Sequence, residues 1–232
     1  MAETPHLAWF RERLKDSAKN EVCDTQPVLD WRDALLKQLD FSADLIGLAE
    51  ARGWELDEKG NVVHRTREFF SVEAVRITET RMREVSTWDQ PIYNQPEGGV
   101  LALVARQRPE TGVQFLLQAK AEPGNIGWLQ FAPTIQCTWS NLRRAHKGRK
   151  PPLAELLVAE HGVRLIYRAM QNEEGGRFWR KSNDNRILFV TDEDLLCAEG
   201  GYFHWVSLTQ IKALALFDNL LSPFVKTIIA PL

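Results

Sequence analysis

Cysteine is scarce and unpatterned in this chain. Cys23, Cys137 and Cys197 are scattered over 232 residues with no CxxC spacing. That argues against a disulfide framework or a zinc site and fits reduced thiols in a cytoplasmic protein. Long apolar runs are missing too. No stretch approaches the ~20 apolar residues of a membrane span, and the opening MAETPHLAWFRERLKDSAKN lacks the basic flank and apolar core of a secretory leader. Neither a signal peptide nor a membrane partner is expected. Charge of one sign is absent as well: 29 Lys and Arg against 31 Asp and Glu leave a net charge of −2, so no broad electrostatic attraction to nucleic acid exists. GxGxxG after a strand, a Walker loop, a nucleophile elbow, HExxH and a metal-ligand cluster are all missing.

What remains is an ordinary globular composition, 44% hydrophobic and 26% charged, long enough to bury a proper core. Eight tryptophans are many for this length; aromatic rings serve ligand sites as well as cores. Residues 4–18 read as a helix, with Thr4 as cap, Pro5 in the first turn, and Leu7, Phe10 and Leu14 at helical spacing. A second helix starts at Pro27, and a shorter one is expected through Leu45, Ile46 and Leu48, with Gly53 as its stop. The rhythm then changes to period two. WELDEKGNVVHR reads as a hairpin leading into a longer strand, STWDQPIYNQ as a packed loop, and GGVLALVARQ and VQFLLQAKA as strands joined by RPETG. A helix over 153–160, strands at VRLIYRAMQ and NRILFVT, a helix in SLTQIKALALFDN capped by Ser207, and an apolar end, VKTIIAPL, follow. The expected class is α+β: a mixed, mostly antiparallel sheet flanked by helices. An N-terminal helical segment over 1–52 leads into one unit over 53–232.

LLQAKAEPGNIGWLQFAPTIQCTWSN, residues 116–141, is unusual for a hairpin. Residues two apart on a strand share a face, so Gln118 points with Lys120, and Thr134 with Gln136 and Thr138. Ile135, Cys137 and Trp139 then point the other way, and Pro133 implies a bend. Neutral amides and hydroxyls donate and accept hydrogen bonds without permanent charge, which suits a neutral ligand such as a sugar or a base. QNEEGGRFWRKSNDNR, residues 171–186, combines Gly175 and Gly176 with Glu174, Arg177 and Arg180. Arginine matches phosphate oxygens with two parallel bonds. Trp88, Gln90, Tyr93 and Asn94 could stack on and bond to a ligand. His204 beside Trp205 reads as structural, and the basic stretch at 143–150 reads as a solvated loop.

Several blocks together resemble the NDP-hexose 2,3-dehydratases: FLLQAKAEPGNIGWLQFAPTIQCTWSN, NEEGGRFWRKSNDNRILFV, HWVSLTQIKALALFDNLLSPFVKTIIA and, upstream, WELDEKGNVVHRTREFFSVEAVRI and REVSTWDQPIYN. The resemblance runs from about Trp54 to the end of the sequence. It implies a Nudix-like unit, although the Nudix box that holds Mg²⁺ is missing, so diphosphate hydrolysis is not expected. It also implies removal of water across C2 and C3 of a nucleotide-linked 4-keto-6-deoxyhexose, without a redox cofactor or metal. Family members carry two such units in tandem, so a single unit implies a homodimer. Within the matching blocks, Glu122 and Glu174 become the candidate base and acid, with Lys120 assisting the enolate or the leaving hydroxyl. Gln118, Asn125, Gln130, Thr134, Gln136 and Asn141 would orient the hexose, Arg177 and Arg180 the diphosphate, and Trp88, Trp128 or Trp205 would stack on the base.

Overall fold

The computed structural model describes residues 5–78, 81, 84–142, 150–196 and 201–232. Thr4 as a helix cap, most of the basic stretch at 143–150, and Cys197 lie outside the described residues. The chain begins with two helices, α1 (Pro5–Ser17) and α2 (Gln26–Gln38). Four strands follow, β1 (Trp54–Leu56), β2 (Val62–His64), β3 (Ser71–Ile77) and β4 (Trp88–Asn94), and they form an antiparallel sheet in sequence order. Asp57 Oδ1 accepts from the N–H groups of Lys59 and Asn61 at 2.9 Å and so closes the first hairpin turn.

The main sheet is larger. It contains β5 (Gly99–Arg108), β6 (Gly112–Ala121), β7 (Leu129–Ala132), β8 (Ile135–Thr138), β9 (Val163–Asn172), β10 (Ser182–Val190) and β11 (Phe203–Ser207). Its order is β11-β6-β5-β10-β9, with β7 on β6 and β8 on β5. Pairing is antiparallel except between β5 and β10, which run parallel. The short α3 (Trp139–Leu142) follows β8, and α4 (Leu208–Leu214) and α5 (Pro223–Ile229) close the chain. This is the expected α+β class with a mixed, mostly antiparallel sheet.

The continuous apolar run of β5 has a simple cause: both faces of the sheet are buried. Leu101, Leu103, Phe115, Leu117, Ile187 and Phe189 pack on one face against Leu7 and Phe10 of α1, Val28 of α2, and residues of α4 and α5. Val100, Val104, Leu116, Leu188 and Val190 pack on the other against Leu153, Leu156 and Leu196. The N-terminal helices therefore share the core of the main sheet. Ser207 caps α4 by accepting from Gln210 N, while the Gln210 side chain accepts from Ser207 N, a reciprocal capping box.

Three local expectations fail. The segment around Leu45 and Ile46 is irregular and reaches only a 3₁₀ turn at Leu48–Glu50. Leu45, Ile46 and Leu48 are exposed, and an apolar stripe without a surface to pack on does not hold a helix. The helix expected over 153–160 shrinks to a 3₁₀ turn at Ala154–Leu157, entered through Leu153 at φ 60°. STWDQPIYNQ, read as a loop, contains β4; it is the edge strand of its sheet, where Pro91 needs no ladder hydrogen bond.

Candidate functional site

The fork between β5 and β6 builds the site. The two strands pair from Arg108–Gly112 as far as Val104–Leu116 and then part. Beyond that rung β7 pairs with β6, Lys120 facing Gln130 and Gln118 facing Ala132. The segment then changes partner at Pro133, and β8 pairs with β5, Ala102 facing Ile135 and Leu101 facing Gln136. The bend expected at Pro133 is this change of partner. The Thr134 hydroxyl sits at the crotch, accepting from Val104 N–H at 2.9 Å and donating to Leu116 O. It is 2% exposed, and its hydrogen-bonding capacity is consumed within the sheet.

The hairpin from β6 to β7 is held by Asn125. Its side-chain N–H groups reach Lys120 O at 3.3 Å and Trp128 O at 2.9 Å. Trp128 takes a left-handed backbone at φ 66°, an unfavourable conformation for a bulky residue that the Asn125 clamp sustains. Its ring lies edge-on to Phe41 at 5.6 Å. The end of the chain joins the other side of β7: Phe131 N–H donates to Leu220 O and Ser222 N–H to Phe131 O, both at 2.9 Å. Phe131 in turn stacks on Trp31, and Trp31 on His204, whose imidazole burial pushes below its usual range.

A cavity of about 290 Å³ opens among these segments. The hairpin contributes Lys120, Glu122, Asn125, Gln130 and Ala132, β8 contributes Gln136, and the C-terminal segment adds Ser222, Pro223 and Phe224. Lys120 Nζ lies 2.7 Å from Glu122 Oε1, with both side chains partly open to solvent. The Gln118, Gln130 and Gln136 side chains make no hydrogen bond to any described residue. Half-buried amides with unspent donors and acceptors are what a polar ligand needs. Asn125 differs, because its donors are engaged in the hairpin. The Ser222, Pro223 and Phe224 wall was not singled out in the sequence. Its signal there, Ser followed by Pro, marks a helix start and says nothing of a pocket 90 residues upstream in sequence (222 − 132).

The remaining candidates lie elsewhere. Glu174, Arg177 and Arg180 occupy the loop between β9 and β10, which is tied to β4: Tyr93 N–H donates to Arg177 O and Trp179 N–H to Tyr93 O, each at 2.8 Å. Gln90 Nε2 donates to Gly176 O at 2.8 Å, and Trp88 Nε1 to Gln90 Oε1 at 2.8 Å. A second cavity, about 350 Å³, is lined by Val72, Gln90, Pro91, Ile92, Tyr93 and Arg177. The Arg180 guanidinium lies over the Trp179 ring, and Glu174 is exposed. Its neighbour Glu173 is the engaged carboxylate, accepting from Asn183 Nδ2 at 2.7 Å and 3.6 Å from Lys181 Nζ. Trp205 lies under the Arg106 guanidinium, 3.9 Å from ring centroid to Cζ, and Asn141 N–H donates to Thr138 Oγ1 at 3.3 Å; neither lines the first cavity.

The Lys120–Glu122 hairpin and the 173–181 loop leave the same end of the main sheet. Between them lie β7, β8, β5 and β10. Glu174 does not line the Lys120–Glu122 cavity. A base and an acid acting on adjacent carbons of one hexose must each reach within hydrogen-bonding distance, and of the two carboxylates only Glu122 lines this cavity.

The NDP-hexose 2,3-dehydratase family profile matches residues 25–232. Similar curated proteins are dTDP-4-dehydro-6-deoxy-alpha-D-glucopyranose 2,3-dehydratases. The protein of Saccharopolyspora spinosa is 32% identical over 92% of this chain and 43% of its own length. Those of Amycolatopsis orientalis and Streptomyces violaceoruber are 35% and 37% identical, over 82% and 80% of this chain and 41% of each protein. The chain thus spans less than half the length of these relatives. Among solved structures, a Nudix hydrolase from M. smegmatis overlaps 68% of this chain and 98% of its own at 13% identity and TM-score 0.35. The C. elegans Ap4A hydrolase overlaps 52% and 87% at 12% identity and TM-score 0.32. With one family profile spanning both the hairpin and the C-terminal wall of the cavity, the chain belongs to the NDP-hexose 2,3-dehydratases.

Proposed function

We propose that this chain is a carbon–oxygen lyase that removes water across C2 and C3 of a nucleotide-linked 4-keto-6-deoxyhexose, with dTDP as the nucleotide. The observation that carries this reading is the Lys120–Glu122 pair, 2.7 Å apart and lining a cavity with unspent amides. The C4 carbonyl acidifies the C3 proton. Glu122 takes that proton, and the C–H electron pair moves into an enolate whose oxygen is at C4. The enolate collapses, re-forming the C4 carbonyl and breaking the C2–O bond, and the leaving hydroxyl takes a proton to depart as water. The 2-ene-3-ol left behind tautomerises to the 3,4-diketone. A placed base typically contributes about 10²–10⁴ in rate, and a cation beside the developing enolate adds electrostatic stabilisation; Lys120 takes that second role or protonates the leaving hydroxyl. Gln130 and Gln136 orient the ring hydroxyls.

A cavity of about 290 Å³ is at the small end for ligand sites and takes the hexose rather than the whole nucleotide sugar. The diphosphate and base then extend outward, with Arg177 and Arg180 as the cations for the diphosphate and Trp88, Trp128 or Trp205 as stacking surfaces. A homodimer supplies a second unit, and the exposed Leu45, Ile46 and Leu48 are apolar surface for it to cover. The expected site of action is the cytoplasm.

The test is incubation with dTDP-4-keto-6-deoxyglucose, followed by mass spectrometry for loss of one water. No loss with dTDP-, UDP-, GDP- or CDP-linked forms would sink the dehydratase reading. One observation favours a second reading: the chain covers only 43% of its curated relative from Saccharopolyspora spinosa. It would then be a binding subunit that completes another chain's site, recognisable by tight sugar-nucleotide binding without turnover. Deuterium uptake at C3 without dehydration would instead mark an epimerase or isomerase using the same enolate.

A further inference from the structure

The C-terminal wall of the cavity carries one polar side chain, that of Ser222; Pro223 and Phe224 beside it offer carbon. Ser222 is 6% exposed, and its backbone is pinned. Its N–H donates to Phe131 O at 2.9 Å, and its C=O accepts from Val225 N–H at 3.1 Å. One residue earlier, Leu221 forms a parallel bridge with Phe131, so the segment runs beside β7, whose Gln130 and Ala132 line the same space.

A serine hydroxyl has one proton to donate and two lone pairs to accept with. The Ser222 oxygen accepts from Phe224 N–H at 3.3 Å, which uses one lone pair and fixes the side chain. Its proton goes to no described residue. Buried donors as a rule find a partner, and the cavity that Ser222 lines is where a ligand meets this one. The hydroxyl is therefore a preorganised donor, held by a different segment from the one that carries Lys120 and Glu122.

Dehydration places demands on both neighbours of C3. On one side the C2 hydroxyl needs a proton to leave; on the other the C4 oxygen becomes negative in the enolate. A serine hydroxyl is too weak an acid for the first task, which falls to the Lys120 ammonium, but fixed hydroxyl donors suit the second. Resting on the dehydratase reading above, we propose that Ser222 is a catalytic residue whose hydroxyl donates to the C4 oxygen and stabilises the charge that develops there as Glu122 removes the C3 proton. Ser222 keeps its proton throughout: the C3–H electron pair moves onto the C4 oxygen, the hydrogen bond strengthens, and it relaxes when the carbonyl re-forms and the C2–O bond breaks.

The test is Ser222→Gly. Glycine caps a helix nearly as well as serine but has no hydroxyl, so the variant should melt close to the wild type. Its turnover of dTDP-4-keto-6-deoxyglucose should fall by about 10²–10³ in kcat, the usual loss for one oxyanion donor, with KM within about threefold. With a 3-deuterated substrate, the isotope effect on kcat should rise or hold its full value, because enolate formation is the step slowed. Should Ser222→Gly not fold, Ser222→Cys keeps the size of the side chain with a weaker donor and should lose rate in the same direction. A folded variant with kcat within about threefold of wild type overturns the proposal and leaves the dehydratase reading intact. So does a raised KM at unchanged kcat, which marks a contact made equally in the ground state, and so does a smaller isotope effect, which moves the donor to the departing C2 hydroxyl. A wild-type chain that removes no water overturns the dehydratase reading, and this role with it.

Discussion

Val104 and Leu116 form the last rung before β5 and β6 part, and the Thr134 hydroxyl joins them, accepting from the N–H of the first and donating to the carbonyl of the second. The contact fixes the fork angle, and through it the gap that Gln130 and Gln136 line. Thr134→Val keeps shape and removes the hydroxyl, stranding one buried donor and one buried acceptor. At about 1–3 kcal/mol per stranded group, a loss of roughly 2–4 kcal/mol in unfolding free energy is expected, read from denaturant midpoints. A stable variant with weakened sugar-nucleotide binding would give Thr134 a ligand-contact role instead.

Glu122→Gln removes the proposed base and leaves the hairpin intact. Turnover of the 4-keto sugar is expected to fall by about 10²–10⁴, with affinity for a non-reactive sugar nucleotide little changed. Lys120→Gln should also slow turnover. Glu174→Gln, outside the lining of this cavity, should leave the rate within about threefold if each site lies in one chain. A loss as large as that of Glu122→Gln would place Glu174 of one chain at the site of another.

The thiols divide by burial. Burial pushes the Cys137 thiol up to about 11, only partly opposed by the nearby Lys120 charge, whereas Cys23 is exposed. Because the thiolate is the reactive form, brief alkylation near neutral pH should modify Cys23 and spare Cys137 until the chain is unfolded. Peptide mass mapping reads this directly, and rapid native modification of Cys137 would contradict the packing of β8 against β5.

Acid stability should depend on Asp184. Burial works to raise its pKa, but hydrogen bonds and charge from Arg186 and Arg168 outweigh that and leave it below the ordinary 3.8. A carboxylate with a depressed folded pKa stabilises fully above its unfolded value, and that contribution is lost as pH falls through the folded value. The loss therefore lies below about pH 4. Asp184→Asn should cost stability at neutral pH, by about 3–5 kcal/mol for a broken buried pair, since the Arg186 side chain is only 13% exposed. It should also flatten the pH dependence of unfolding below about 4. An unchanged acid slope would shift that role to other carboxylates.

Much of the architecture was legible in the sequence because its causes are local. Pro5 and Ser207 mark helix starts, Lys59-Gly60-Asn61 marks a hairpin, and apolar runs bounded by turn residues mark β5, β6 and β10. Expectations failed where burial decides. Leu45, Ile46 and Leu48 have helical spacing but no surface beneath them, and Trp88–Asn94 becomes a strand because β3 offers it a ladder.

The sequence by itself determined the period-two polar hairpin, with Gln118 and Lys120 on one face and Glu122 at the turn, since strand geometry alone sets which strand residues point together. Only the tertiary structure decided which of those residues a ligand can meet. Thr134 resembles Gln136 in pattern, yet the fork consumes its hydroxyl and leaves the Gln136 amide free. Glu174 resembles Glu122 in chemistry, yet β7, β8, β5 and β10 lie between them. Phe224 has no polar signature, yet the backbone bonds from Phe131 and Ser222 bring it to the cavity. Partner exchange at Pro133 and closure by the C-terminal segment are contacts between residues far apart in the chain, which no local periodicity encodes.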